Sequence, residues 1–483
     1  MKDQAGGHAQ KSRALLERTM MHALDFLDSL ETRSVAATLG KAELRARLAR
    51  PLPDEGSEPQ DIIDHLVADA DGGLNASTGG RFFAWVIGGN LPAALAADWL
   101  TSAWDQNAGL HSTSPALGII EEVCGDWLKD MLGLPAGASF ALVTGCQMSH
   151  VTCLASARNK ILADRDWDVE QRGLVGAPPI KVLGSAACHG SVERALRLLG
   201  LGRDSFVALP ADRDGRLAPA TLASALNGTG DAPCIVILQA GEINTGIFDP
   251  FEELIPVARG HGAWVHVDGA FGLWAAASPR YQHLMAGCAL ADSWSTDGHK
   301  WLNVPFDCGY AFVAHPECHA RAMSHRASYL VHASDARDPM DYNPEWSRRG
   351  RAVASYAALR QLGRKGVAEL VERCCRHARA IVTGIGALPG AELLRSPVIN
   401  QGLVRFPDPK SGATEADHAR RTDAVIEAIN ASGEAFFSGS TWQGMRCMRV
   451  SVCSWQTSDS DVARSIAAAQ RAIEAAGTPA AAS

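Results

Sequence analysis

Two stretches decide the fold of this chain: VHVDGAFG, residues 265–272, and SWSTDGHKWLNVPFDCG, residues 293–309. In the first, an apolar strand ends in Asp268 and a turn of small residues. In the second, Asp297, His299 and Lys300 crowd together just ahead of an apolar stretch containing Trp301. Open α/β sheets place ligands at the carboxyl ends of their strands, so Asp268 stands where a site is expected. On either side the same grammar repeats. SFALVTG (139–145), IKVLGS (180–185), CIVILQAG (234–241), AWVHVD (263–268) and CGYAFVAH (308–315) are short apolar runs separated by helical stretches. That alternation predicts a mainly parallel sheet covered on both faces.

Further out the pattern changes. Residues 1–50 carry apolar positions at helical spacing, PLPDEGSEPQD (51–61) breaks them, and a new helix is expected at Ile62 and Ile63. Residues 92–132 read as helical. After residue 350 come the helical RAVASYAALRQLG and VERCCRHARAIVTGIGAL, then strand-like QGLVRF and CMRVSVC and a helix from Asp459. The expected organisation is an N-terminal helical segment (1–95), a large α/β domain (96–350), a smaller α+β domain (351–475) and a frayed tail (476–483).

Composition narrows the function. A net charge of -8 argues against nucleic acid as main partner, and 47% hydrophobic residues suit a soluble globular protein. No apolar run approaches the roughly 20 residues that span a bilayer, so no membrane role is expected. The start MKDQAGGHAQKSR lacks an export signal, which makes the cytoplasm the expected location. The 12 cysteines are scattered without CxxC pairs and read as free thiols, with no metal site expected.

Lysines are seldom buried without a partner or a purpose. Alone, Asp268 could cap a turn and Lys300 could be a surface residue. In order and 32 positions apart they suit pyridoxal 5'-phosphate (PLP), which needs an amine to form a Schiff base and a carboxylate on the pyridinium nitrogen. The two segments closely resemble the group II PLP-dependent amino-acid decarboxylases, which include the aromatic-amino-acid, glutamate and diaminobutyrate decarboxylases. Their HVDxA strand end and DSxxxxxHKW block appear here as His266 to Ala270, Asp292-Ser293 and His299-Lys300-Trp301. The resemblance runs from roughly residue 75 to 460. It implies the aminotransferase-like fold type I, a homodimer with shared sites, and a Lys300 aldimine.

The resemblance also orders other landmarks. SAACHGSVERALRLLGLG (185–202) resembles the segment whose histidine stacks on the PLP ring, here His189. ALVTGCQMSHVTCLASAR (141–158) falls at the phosphate loop, with Gly145, Cys146 and Gln147 as candidates at a helix N-terminus. It departs from the usual GGSxAN-like form. His299 is a further phosphate contact by the same resemblance, and Asp297 occupies a position that can help. In QAGEINTGIFDP (239–250) the polar candidate beside the ring is Asn244. Tyr329, in RASYLVHASDARDPMDY (326–342), matches the loop tyrosine that protonates the substrate carbon after carbon dioxide leaves. In CMRVSVCSW (447–455), Arg449 falls where an arginine lies near the substrate carboxylate.

GGRFFAWVIGGN (79–90) falls at the substrate pocket, with Phe82, Phe83 and Trp85 supplying aromatic character and Arg81 replacing part of the usual His-Pro. Arg81 in the pocket would favour an acidic substrate. Asn107, His111, Ser112 and Ser114 are further wall candidates from a partner subunit. The expected reaction is decarboxylation of an L-amino acid to its amine. Transamination, aldehyde-forming decarboxylation with deamination, carbon–carbon cleavage and a non-catalytic PLP-binding role stay open. A silent scaffold would be marked by loss of the lysine, the aspartate or the stacking histidine, and all three are present.

Overall fold

The computed structural model describes residues 2–325 and 336–477. A seven-stranded sheet is built from β1 (Ser139–Val143), β2 (Lys181–Ser185), β3 (Phe206–Leu209), β4 (Cys234–Gln239), β5 (Trp264–Asp268), β6 (Ser293–Asp297) and β7 (Gly309–Val313), in the order β1-β7-β6-β5-β4-β2-β3. The β3-β2-β4-β5-β6 run is parallel, and β7 is antiparallel to both its neighbours. Five strands are the apolar runs read from the sequence. Their alternation feeds two cores: Ile235 and Ile237 pack on one face, Val236 and Leu238 on the other.

The strands β3 and β6 were not expected. In β6, Ser293, Ser295, Thr296 and Asp297 are all buried, so this central strand carries no apolar run. A second, antiparallel sheet is formed by β8 (Glu392–Arg395), β9 (Gln401–Arg405), β10 (Ser438–Trp442) and β11 (Met445–Ser451), ordered β10-β11-β9-β8. The helix Ala352–Gly386 reaches it from the large sheet and breaks at Gly363, whose φ of 59° and ψ of -179° require a glycine there. This break separates the two helical runs read from the sequence.

The N-terminal helices are Lys2–Ser29, Lys41–Leu48 and Pro59–Ala70. The expected helical stretch 92–132 is two helices, Pro92–Trp104 and Pro115–Met131, parted after the left-handed Asp105. The C-terminal helix runs from Asp459 to Gly477, into the stretch read as a tail, and residues 478–483 lie outside the described residues. Among the described residues no helix is long and apolar enough to cross a membrane.

One side chain locks the loop after β6 to segments near residues 89 and 455. Asn303 is fully buried, with a left-handed φ of 55° that asparagine tolerates better than most residues. Its Oδ1 accepts from the backbone of Gly89 (2.7 Å) and Trp455 (2.9 Å), and its Nδ2 donates to the carbonyls of Trp301 (2.8 Å) and Cys453 (3.0 Å). Gly88 then lies so close to Lys300 that a Cβ there would overlap the Lys300 carbonyl oxygen. Asn303→Ala strands four buried backbone groups, and we expect a loss of about 2–4 kcal/mol in equilibrium urea unfolding.

Candidate active site

The carboxyl ends of β4, β5 and β6 lie side by side, because Gln239 pairs with Asp268 and Asp268 with Ser295 in register. Beyond them opens a cavity of about 820 Å³, bordered by two helix starts and by β10 and β11. Asp268 and Lys300 both line it, as do Asp297 and His299 from the same block. The cavity also receives Gly145, Cys146 and Gln147 from the start of the helix Cys146–Ala163, His189 from the helix Gly190–Leu198, Asn244, and Arg449 from β11.

Asp268 is 7% exposed. Burial alone would raise its pKa, but His150, 3.5 Å from Oδ2, with His189 and Lys300 behind it, holds the carboxyl well below the usual carboxylate range. The Lys300 ammonium is pushed up to about 12: burial opposes its charge, and Asp297, 3.0 Å from Nζ, outweighs burial. His189 caps its helix by accepting from the Ser191 backbone, and its imidazole is pushed down by burial. His299 stacks on Phe306 with ring centroids 4.3 Å apart and accepts from the Cys308 backbone.

The phosphate-loop candidates have specific engagements. The Cys146 N–H donates to Asp297 Oδ1 at 2.6 Å, so this helix N-terminus already holds a carboxylate, and the Gln147 amide donates to the Ser191 carbonyl. Asn244 is held by Glu242 (Nδ2 to Oε1, 2.7 Å) and accepts from Ser440 Oγ (2.6 Å). Arg449 is buried, and its Nε has no hydrogen-bond partner among the described residues. Tyr329 lies outside the described residues.

Two residues expected as substrate contacts do not line the cavity. Arg81, 3% exposed, does not line the cavity. Its guanidinium donates to the carbonyls of Glu434 (2.6 Å) and Glu31 (2.8 Å) and lies 3.5 Å from the buried Asp461. Its fork is therefore consumed in joining the N-terminal segment to the C-terminal part of the chain. Phe82 is stacked flat on Phe436, with centroids 4.9 Å apart, and is likewise absent from the cavity wall. The aromatic residue that this segment does present is Trp85, half-exposed and carried on two successive left-handed residues, Trp85 and Val86.

Sequence reasoning missed Gln239, a buried cavity residue whose Nε2 has no hydrogen-bond partner among the described residues. The signal was available: like Asp268, it is a polar residue ending an apolar strand. It also missed His150, which faces Asp268 from the neighbouring helix.

Comparisons with known proteins agree with this geometry. Residues 42–407 match the pyridoxal-dependent decarboxylase conserved domain. An aromatic-L-amino-acid decarboxylase of Drosophila lebanonensis is 30% identical over 404 residues, covering 79% of this chain and 95% of that protein. A 4-hydroxyphenylacetaldehyde synthase of Rhodiola rosea is 27% identical over 425 residues, covering 86% of this chain and 85% of that protein. The crystal structure of Oryza sativa TDC with PLP and tryptamine superimposes with a TM-score of 0.90 at 22% identity, over 97% of this chain and 98% of that one.

The chain belongs to the pyridoxal-dependent decarboxylase family of PLP-dependent carboxy-lyases, with fold type I architecture and PLP as cofactor. The residues fit that group: an amine, a buried ionised carboxylate and an orphaned buried amide (Gln239) share one cavity. Arg81→Met breaks a buried ion pair, and we expect it to cost about 3–5 kcal/mol in urea unfolding while KM for substrate stays unchanged.

Proposed function

We propose that this chain decarboxylates an L-amino acid to the corresponding amine and carbon dioxide, with Lys300 as the covalent anchor of PLP. The observation that carries the proposal is the shared cavity of Lys300 and the ionised Asp268, with Arg449 on its wall. Bound PLP supplies an electron sink that weakens bonds at the substrate Cα. Every other part of the chemistry falls to side chains of the chain.

Asp268 would hold a proton on the cofactor's ring nitrogen through a charge-assisted hydrogen bond. Lys300 reacts as its free amine, and Asp297 Oδ2, 3.0 Å from Nζ, holds the side chain in place in the cavity. His189, on the cavity wall, would cover the ring. Asn244, Gln147, Cys146, Gly145 and His299, which line the cavity, would border the cofactor, and Arg449 would offer its fork to the substrate carboxylate. Tyr329 delivers the proton that Cα receives once carbon dioxide has left.

A homodimer with shared sites belongs to the same proposal. The exposed Trp85 and Phe306 at the cavity edge support it, since each presents a large apolar ring to solvent in the lone chain. The twelve cysteines, none of them paired, support a cytoplasmic location. The Rhodiola relative's name favours a second reading, in which decarboxylation proceeds to an aldehyde.

A panel of aromatic, acidic and diamino acids separates the readings. Carbon dioxide and amine in equal amounts are expected. Aldehyde with ammonia favours the second reading, and keto acid without carbon dioxide overturns both. Lys300→Ala is expected to lose the visible absorption band of the bound cofactor along with activity. Tyr329→Phe is expected to lower amine formation by about 10²-fold or more with that band intact, measured by amine release and absorbance on one preparation.

A further inference from the structure

Behind Asp268, away from the cavity, two histidines are sealed in the interior. His150 and His266 are fully buried, edge to face at 84° with centroids 5.2 Å apart. Both positions follow from the fold. His266 lies two residues before Asp268 on β5 and so shares its face, and His150 sits on the helix Cys146–Ala163 that packs on that face. A buried imidazole pair carries a desolvation cost that two apolar side chains would avoid.

Three hydrogen bonds form one line that ends in a charge contact with Asp268. The Trp264 indole N–H, which can only donate, reaches Ser293 Oγ at 2.9 Å. Ser293 Oγ lies 2.9 Å from His266 Nδ1 and His266 Nε2 lies 2.9 Å from His150 Nδ1; His150 Nε2, which makes no hydrogen bond among the described residues, comes within 3.5 Å of Asp268 Oδ2 as a charge contact. Burial, reinforced by His150, pushes His266 down to about 3, so it is neutral and carries a single N–H. With the serine hydroxyl donating to Nδ1, His266 donates from Nε2 to His150. His150 then carries its own N–H on Nε2, facing the carboxylate. Ser295 Oγ, 3.3 Å from both rings and 2.7 Å from Ser149 Oγ, braces the junction.

We propose that the line Trp264–Ser293–His266–His150 is a positioning device for Asp268, which fixes the carboxylate's charge and orientation and so keeps the cofactor's ring nitrogen protonated. Its dipoles align head to tail and end on the carboxylate, where a low-dielectric interior strengthens each link. His150 does not touch the cavity, so it is a positioning residue and not a catalytic one. The inference rests on the proposed pairing of Asp268 with the ring nitrogen.

The test is the 15N chemical shift of the ring nitrogen in enzyme reconstituted with ring-15N PLP. The wild type is expected at the protonated value and Asp268→Asn at the neutral one. His150→Leu should move toward the neutral value, and Ser293→Ala should move the same way by less, with the cofactor's immediate surroundings unaltered. His150→Gln, which can still offer an N–H to Asp268, should return toward the wild-type shift. If Asp268→Asn shifts but His150→Leu and Ser293→Ala keep the wild-type value, the positioning role is overturned and the Asp268 pairing survives. If Asp268→Asn keeps the protonated value, the pairing itself fails. Should His150→Leu not fold, Ser293→Ala decides by the same criterion.

Discussion

An ionised carboxylate at the end of an apolar strand is the constraint around which the rest of this structure is arranged. Asp268 sits at the seam between β4 and β6, where burial alone would neutralise it. Its charge survives because cationic and polar groups converge from separate elements: His150 from one helix, His189 from another, Lys300 from the loop after β6. Such convergence needs a sheet whose strand ends are level, and the parallel run from β4 to β6 supplies that. In a family whose cofactor works by accepting electrons, the fixed negative charge gives the site its chemical direction.

The second requirement is that Lys300 stay in reach of that charge. The lysine lies on a turn-rich loop that a regular ladder does not hold. Asn303 replaces the ladder with four side-chain hydrogen bonds, to segments from near residue 89 and near residue 455. The N-terminal and C-terminal parts of the chain thus brace the catalytic loop together. Arg81 belongs to the same bracing, joining the two parts a little further out.

Legibility in the sequence followed the physics of each element. β1, β2, β4, β5 and β7 were readable because both their faces are buried in apolar cores, which writes a continuous apolar run. β6 was hidden because its buried faces are satisfied by hydrogen bonds, Ser293 with Trp264 and Ser295 with Ser149, so its composition resembles a loop. The half-exposed β8 and β10 lacked a run for a different reason: neither has a fully buried face. In the site, Lys300, Asp268, His189 and Arg449 meet in one cavity, as the motifs implied. Arg81 and Phe82 do not, since their partners are Asp461, Glu434 and Phe436, distant in sequence and invisible to any local reading. His150 was legible in principle, from a helix packed on the strand face that His266 and Asp268 share, but only once the helix and strand were placed together.

The central claim is that Lys300 and no other lysine carries the cofactor. Borohydride reduction of the PLP-loaded enzyme, followed by proteolysis and mass spectrometry, tests it directly. A phosphopyridoxyl group is expected on the peptide containing Lys300, at that residue alone. The same modification on another lysine, with Lys300 unlabelled, would contradict it.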